Sequence, residues 1–300
     1  MTGAELPGAL AARSLLGLLW ALQALPMGMH AALGQALGSM LHALARQRRR
    51  VALRNVALCL PALDEPARRL LVRQHFKWLA RSLLERGLLW YATPARLKTL
   101  IQIEGDVGFA ERSDKPVMWL VPHFVALDVA GVATQLFQGR QVASIYQVQS
   151  NAVFDAAMRI GRLRFGLAEV FARSDRALPL VRAIRRGAVF FNLPDMDFGA
   201  RDAAFVPFFG VPAATLLAPA RMARSLGMVV QPVVAEILPG GAGYKVRFLA
   251  PWTDFPGADD TAAATRMNHW IEQEIRRNPA QYLWVHKRFK TRPDGQPGFY

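Results

Sequence analysis

Five short apolar runs constrain the fold of this chain more than any other feature of its sequence. Each run is bounded by Gly, Pro or polar residues, as strands usually are. The stretches between the runs have apolar residues at helical spacing. Strands that alternate with helices predict an α/β domain with a mixed or parallel sheet flanked by helices. The runs occupy residues 117–121, 142–146, 188–193, 228–237 and 244–249.

Two other stretches have recognisable helix ends. Asp64-Glu65-Pro66 predicts a helix start, because acidic residues suit the positive end of the helix dipole and Pro suits the first turn. The leucines that follow, with Arg and Lys between them, predict either a surface helix of the domain or a basic amphipathic helix against lipid headgroups. In SDRALPLVRAIRRG (174–187), Ser174 or Asp175 is the predicted N-cap and Gly187 the predicted stop.

The N-terminal region contains 32 consecutive residues, Ser14 to Ala45, without Asp, Glu, Lys or Arg. A bilayer-spanning helix needs about 20 mostly apolar residues, so the stretch is long enough to span. Pro26 and scattered glycines leave a re-entrant or interfacial helix open. The basic cluster at 46–50 follows directly, and such clusters remain on the cytoplasmic side. We therefore predict a membrane-associated N-terminal segment (1–60) and a cytoplasmic catalytic domain (61–300).

The overall composition combines 52% apolar residues with a net charge of +15. A basic chain can bind nucleic acid, but a chain both basic and apolar fits anionic membrane lipid, and the uncharged stretch argues against nucleic acid. A non-catalytic, basic binding protein is the rival from another functional class. The single cysteine, Cys59, excludes an internal disulfide framework and is expected to pack in the core. No zinc spacing occurs, so no metal is predicted.

The octapeptide VPHFVALD (121–128) places His123 and Asp128 directly after the first apolar run. In a regular helix these side chains would point about 140° apart. They can meet only if His123 lies in the strand-to-helix turn and Asp128 in the helix start. Asp128 would then fix the imidazole tautomer, and the other ring nitrogen would remove a proton from a hydroxyl. Because no Gly-x-Ser-x-Gly elbow is present, that hydroxyl is expected to belong to the acceptor substrate.

Four further polar residues are candidates for substrate binding. Arg162 and Arg164 would share a face on a strand or extended loop but not on a helix. One of them could hold a phosphate or an oxyanion, or both could belong to a solvated basic face. Asp195 and Asp197 follow the 188–193 run in LPDMDFG. They could accept hydrogen bonds from sugar hydroxyls, hold an arginine or simply form a turn, and Asp195 is the stronger candidate.

Two other blocks each have two interpretations. The aromatic segment 205–210 could line an acyl-chain groove or pack in the core. The basic segment WVHKRFKTR (284–292) could be a solvated face or a docking patch for an acidic protein and a phosphorylated lipid.

Several blocks together resemble the lipid A biosynthesis acyltransferases, the lauroyl and myristoyl transferase family within the lysophospholipid acyltransferase superfamily. The likeness extends nearly from end to end. In chain order, the blocks are RRRVALRNVALCLP (48–61), PHFVALD (122–128), GRLRFG (161–166), LPDMDFG (193–199) with AFVPFFGVPAAT (204–215), and YLWVHKRFKTRPDG (282–295).

The resemblance implies a glycerolipid acyltransferase-like fold and transfer of a fatty acyl chain from acyl carrier protein, without a cofactor, to a hydroxyl of a lipid A precursor. It places the reaction on the cytoplasmic face of the bacterial inner membrane. It also implies that His123 and Asp128 are the catalytic pair of the family's His-x4-Asp/Glu (HX4D) motif. Asp128 stands where many members have Glu, and Gln147-Val148 stands where Arg-Pro is usual. These departures leave open a glycerolipid or aminolipid acceptor, with acyl-CoA or carrier protein as donor.

Overall fold

The computed structural model describes residues 5–300, which form strands and helices around one large sheet. The helices are α1 (Glu5–Leu22), α2 (Met27–Leu44), α3 (Arg46–Cys59), α4 (Glu65–Tyr91), α5 (Pro94–Leu100), α6 (Phe109–Arg112), α7 (Leu127–Leu136), α8 (Ala152–Leu163), α9 (Ala177–Arg185), α10 (Ala218–Leu226) and α11 (Asp260–Arg277). The strands are β1 (Ile101–Gly105), β2 (Val117–Leu120), β3 (Val142–Tyr146), β4 (Ala168–Ala172), β5 (Val189–Asn192), β6 (Ala203–Phe208), β7 (Val211–Leu216), β8 (Val229–Ile237) and β9 (Tyr244–Phe248).

The large sheet has seven strands in the order β1-β9-β8-β2-β5-β3-β4. Its central strands β8, β2, β5, β3 and β4 are parallel, and β9 pairs antiparallel with β8. The remaining strands, β6 and β7, form a separate antiparallel hairpin. All five strands predicted from apolar runs are confirmed, as is the mixed α/β sheet flanked by helices.

Alternate residues of the central strands point into two different cores. In β2, Val117 and Trp119 contact one core, and Met118 and Leu120 contact the other. Helices α7, α8 and the C-terminal half of α4 cover the first face, while α3, α9, α10 and α11 cover the second. Burial on both faces explains why these strands appear in the sequence as continuous apolar runs rather than alternating ones.

Helix α4 is internal over its C-terminal half. The Asp64 side chain accepts a hydrogen bond from the backbone N–H of Ala67 at 2.9 Å, which confirms the predicted helix start. Phe76 is buried in the core, whereas Leu70 is exposed. Both N-terminal helices, α1 and α2, pack along α4. The C-terminal half of α4 is therefore not a surface helix, whereas contact of the exposed face of its N-terminal half with lipid headgroups stays a prediction.

The uncharged N-terminal stretch forms two helices, α1 and α2, that are separated at Pro26. Gly34 and Gly38 of α2 lie against α4, and a Cβ atom on Gly38 would lie only 2.3 Å from the Cα of Lys77. Glycines four residues apart therefore let the two helix backbones touch. No helix within residues 5–300 combines the length and the apolar character needed to cross a membrane.

Helix α3 connects α2 to the rest of the chain. It buries Val56 and Cys59 in the core, so the predicted packing role of Cys59 is confirmed. The division of the chain at residue 60 stays a prediction, and residues 1–4 of the segment 1–60 lie outside the described residues.

Helix α9 begins one or two residues later than predicted. Its N-cap residue is Arg176, so the expectation of a Ser174 or Asp175 cap is wrong. The Asp175 carboxylate instead accepts a hydrogen bond from the backbone N–H of Ala172 at 2.8 Å, inside the preceding turn. The predicted stop is confirmed, because Gly187 follows the helix with a φ of +100°, in the left-handed region that favours glycine.

Candidate active site

His123 and Asp195 lie in turns that follow two neighbouring parallel strands. β2 ends at Leu120 and α7 begins at Leu127, so His123 lies in the turn, as predicted. Asp195 lies in the corresponding turn after β5, which pairs with β2. Because parallel strands end at the same edge of a sheet, the two turns lie side by side. The His123 Nδ1 atom is 2.7 Å from Asp195 Oδ1, and the His123 backbone N–H donates to Oδ2 at 2.9 Å.

This contact determines which ring nitrogen of His123 carries the proton. A carboxylate can only accept, so the proton of a neutral His123 ring lies on Nδ1 and the lone pair on Nε2 is left for a substrate. The Asp195 side chain is fully buried, whereas 15% of the His123 side chain is exposed. Burial by itself would raise the pKa of Asp195, but His123 and its two hydrogen bonds hold that pKa below its ordinary value. The pair therefore has the arrangement of a general base and its orienting acid.

Asp128, the predicted partner of His123, makes different contacts. It lies in the first turn of α7, and its carboxylate contacts Arg162 of α8 at 3.0 Å and Arg86 of α4 at 3.3 Å. Burial would raise the pKa of Asp128, but these two guanidinium groups hold it below its ordinary value. The predicted His123–Asp128 contact is thus wrong, because the first turn of α7 directs Asp128 toward α4 and α8.

The two candidate arginines have separate positions. Arg162 is in the last turn of α8 and pairs with Asp128. Arg164 caps the same helix and donates to the backbone carbonyls of Leu89, at 2.9 Å, and Ala92. Those carbonyls lie at the C-terminal end of α4, where the helix dipole favours a cation. Arg164 therefore fastens α8 to α4, and Arg162 is the arginine left near the site.

The second candidate aspartate, Asp197, makes hydrogen bonds within its own turn and to the C-terminal segment. Its buried carboxylate accepts hydrogen bonds from the backbone N–H and the hydroxyl of Thr291, both at 2.7 Å, and from the Gly199 N–H at 3.0 Å. These donors occupy both oxygens, so Asp197 ties the turn after β5 to the C-terminal segment rather than facing a ligand.

An apolar cleft lies beside these turns, between the sheet and helices α7 and α8. Leu127 and Leu193 line it, so the cleft reaches the bases of the turns that carry His123 and Asp195. Asp128 and Arg162 form part of its polar lining. Gly131 leaves open space in the cleft wall, because no atom lies within 4 Å of its ideal Cβ position. A cleft that is mainly apolar with a few polar groups is typical of a site for a hydrocarbon chain.

The aromatic segment 205–210 is separate from this cleft. Its Phe208 is fully buried and packs against Tyr282 and Phe289. Of the two interpretations of this segment, core packing is confirmed for Phe208.

The C-terminal segment 279–291 packs against the turns that carry His123 and Asp195, which the sequence did not predict. The Leu283 N–H donates to the His123 carbonyl at 3.0 Å, and the Val125 N–H donates to the Gln281 carbonyl at 2.8 Å. Arg288 is buried and donates to the Ala214 carbonyl at 2.8 Å. The basic segment 284–292 is therefore not a single docking surface. In the sequence, only the block YLWVHKRFKTRPDG (282–295) drew attention to this C-terminal segment.

Comparison with known protein families gives a match over most of the chain. The family model described as bacterial lipid A biosynthesis acyltransferase matches residues 9–291. The chain belongs to this family. Relatives from Escherichia coli (strain K12) extend over nearly the whole chain. The lipid A biosynthesis palmitoleoyltransferase is 30% identical over 288 residues, which cover 95% of this chain and 92% of that protein.

Two more relatives from the same organism show similar likeness. The lipid A biosynthesis lauroyltransferase is 30% identical over 95% of this chain and 93% of its own length. The lipid A biosynthesis myristoyltransferase is 30% identical over 87% of this chain and 80% of its own length. The chain is thus an acyltransferase. The names of these relatives specify three different acyl groups at equal identity, so overall identity does not select an acyl chain length.

Proposed function

We propose that this acyltransferase transfers a fatty acyl group from an acyl-carrier-protein thioester to a hydroxyl of a lipid A precursor. The observation that carries the proposal is the His123–Asp195 pair, held in two turns whose neighbouring residues Leu193 and Leu127 line an apolar cleft. The names of the curated relatives, all lipid A biosynthesis enzymes, support the choice of acceptor.

The proposed reaction is a direct transfer with His123 as the base. Nε2 removes the proton of the acceptor hydroxyl as its oxygen attacks the thioester carbonyl. Asp195 stabilises the imidazolium that forms. The tetrahedral intermediate then collapses, the carbon–sulfur bond breaks, and the departing thiolate takes the proton back from Nε2. Ester and free thiol are the products, and no covalent acyl-enzyme is required.

Arg162 and Arg86 are proposed to bind negative charge at the mouth of the cleft. Their side chains are 33% and 30% exposed, and Asp128 neutralises only one of the two charges. The remaining positive charge suits a phosphate of the precursor or the oxyanion of the intermediate. In this proposal, Asp128 holds both arginines in place and does not act on His123.

The apolar cleft is proposed to hold the fatty acyl chain of the donor. It extends along β3 from Val142 to Tyr146, and a strand of five residues spans roughly 16 Å. With the chain in the cleft, the thioester carbonyl would lie near Leu127 and Leu193, close to the turn that carries His123. The depth of the cleft would then set the acyl length.

Helices α1 and α2 are proposed to attach the enzyme to the cytoplasmic face of the bacterial inner membrane. Among residues 8–300, more than half of the large apolar side chains that remain exposed belong to these two helices. They are Leu10, Leu15, Leu18, Trp20, Met29, Leu33, Met40 and Leu44. A two-helix layer with such a surface suits the boundary between headgroups and acyl chains. The exposed Arg46, Arg48 and Arg50 of α3 follow it and suit anionic headgroups.

A transfer assay with a matched histidine control tests the function. Wild type, His123→Ala and His269→Ala are given a panel of acyl-carrier-protein and acyl-CoA thioesters with a lipid A precursor, a glycerolipid or an aminolipid. His269 is an exposed residue of α11 and serves as the control. We expect His123→Ala to lose at least roughly 10³-fold in kcat and His269→Ala to match wild type.

Each contrary result excludes a different part of the proposal. A His123→Ala variant that transfers within a few-fold of wild type overturns the mechanism. Transfer to the glycerolipid or aminolipid in preference to the lipid A precursor overturns the acceptor. Preference for acyl-CoA overturns the donor, and a wild-type protein that transfers to none of these lipids favours a non-catalytic role.

A further inference from the structure

A second histidine, His286, lies behind the catalytic pair. Its Nε2 atom accepts a hydrogen bond from the backbone N–H of Asp197 at 3.2 Å. Because that lone pair is in use, the ring of His286 is neutral and carries its proton on Nδ1. Asp197 is two residues from Asp195 in the turn after β5. The bond therefore acts directly on the turn that presents Asp195 to His123.

The backbone of His286 is itself held in place. The amide of Asn55, a buried residue of α3, donates to the His286 carbonyl at 2.6 Å and to the Trp284 carbonyl at 2.7 Å. Farther along the same segment, Thr291 holds the Asp197 carboxylate. The turn after β5 is thus attached to the C-terminal segment at two points, a ring nitrogen and a threonine.

The surroundings of His286 favour its neutral form. The pKa of His286 is lowered from 6.5 to about 4, mainly by burial and also by His123 and Arg288, while Asp195 and Asp197 act in the opposite direction. α3 contributes the uncharged Asn55 at this point.

We propose that His286 is a positioning residue for acyl transfer: its neutral ring holds the Asp197 N–H and thereby fixes Asp195 against His123. This inference rests on the proposed role of His123 as the base. His286 does not line the apolar cleft, so loss of the bond should lower kcat and leave KM for both substrates unchanged.

Two amide substitutions separate this role from simple packing. In His286→Gln, the side-chain oxygen can occupy the position of Nε2 and accept the Asp197 N–H. In His286→Asn, the shorter side chain mimics Nδ1 and cannot reach it. An unpaired buried N–H destabilises the turn that presents Asp195, so kcat of His286→Asn should fall by roughly 10- to 100-fold. The kcat of His286→Gln should stay within roughly threefold of wild type.

Steady-state transfer with acyl-carrier-protein thioester and lipid A precursor supplies kcat and KM, and circular dichroism verifies folding. Equal kcat values for the two variants, or a change in KM instead of kcat, would overturn the inference. Should His286→Asn fail to fold, Thr291→Val tests the same turn. It keeps the backbone hydrogen bond to Asp197 and removes only that of the hydroxyl, and an unchanged kcat would count against the positioning role.

Proton NMR distinguishes a failure of this inference from a failure of the proposed function. The Nδ1–H proton of His123, hydrogen bonded to Asp195, gives a low-field signal that needs no substrate. We expect the signal in wild type and His286→Gln and its loss or shift in His286→Asn. If wild type transfers to none of the lipids but this pattern is observed, the substrate assignment is wrong and the positioning role stands. An identical signal in all three proteins contradicts the positioning role.

Discussion

Replacing Asp195 by Asn should invert the tautomer of His123. In the wild type, one carboxylate oxygen accepts from the His123 backbone N–H and the other from Nδ1. An asparagine has only one oxygen. Since the backbone N–H can only donate, that oxygen should face it and the NH₂ group should face Nδ1. Nδ1 then becomes an acceptor, the ring proton moves to Nε2, and Nε2 can no longer act as a base.

The expected loss is large and confined to kcat. In hydrolases with a Ser-His-Asp triad, the same substitution lowers kcat by about 10⁴-fold through the wrong tautomer. We expect a decrease of about 10³- to 10⁴-fold here, or ~4–5.5 kcal/mol in activation free energy. The Asp195 side chain is fully buried and does not face the cleft, so KM should be unchanged. The assay is steady-state transfer, combined with ¹⁵N NMR of the histidine rings to identify the tautomer.

Asp128→Asn is the matched control. It weakens the contacts with Arg86 and Arg162 but leaves the His123–Asp195 pair intact. We expect a higher KM for the anionic acceptor and a smaller decrease in kcat than in Asp195→Asn. The reasoning is refuted if Asp195→Asn keeps kcat within about tenfold of wild type while Asp128→Asn loses 10³-fold or so.

Other substitutions test the cleft, the packing of α2 on α4 and a buried histidine. Gly131→Leu fills open space in the cleft wall. If it displaces three methylenes at about 0.8 kcal/mol each, kcat/KM for the longest accepted donor should fall roughly 50-fold relative to a short donor; an unchanged profile across thioesters would place the chain elsewhere. Gly38→Ala forces a Cβ onto the Lys77 backbone and should lower the free energy of unfolding by about 1–3 kcal/mol in urea titrations. In Gly28→Ala the new Cβ meets no atom within 4 Å, so the free energy of unfolding should not fall. Equal losses of unfolding free energy in the two variants would contradict the close packing of α2 on α4. Burial lowers the pKa of His75 from 6.5 to about 4. Between pH 6.5 and pH 4 the unfolded chain therefore binds a proton at this residue more readily than the folded protein does. The stability that this neutral ring contributes is therefore present above pH 6.5 and declines by about 3 kcal/mol as the pH falls toward 4. His75→Asn should show a shallower acid decline of the unfolding free energy, and an equally steep one would assign the decline to other groups.

The strands could be predicted to the extent that they are buried on both faces. The central strands β2, β5 and β8 have nearly all of their residues buried, which produces unbroken apolar runs. Every residue of the edge strand β4 is only partly buried, and most residues of β1 are partly buried or exposed. Their mixed composition gave no such run, and neither strand was predicted.

The partner of His123 depended on strand order, which local sequence does not encode. β5 pairs with β2 although β3 and β4 lie between them in the chain, so Asp195 reaches a histidine 72 positions earlier. Asp128 is closer in sequence and was the natural choice. The observation that Asp195 also follows a strand was available, but the sequence did not show that the two strands are neighbours.

The sequence by itself determined the α/β class, five of the strands, the family resemblance and the placement of His123 in a turn after β2. These properties follow from local periodicity, turn residues and motif order. Only the tertiary structure decided that Asp195 orients the ring, that Asp128 holds two arginines, and that the uncharged stretch forms two helices packed on α4. Each of these depends on which distant surfaces pack together, and that is set by sheet order and close backbone contact rather than by any local pattern.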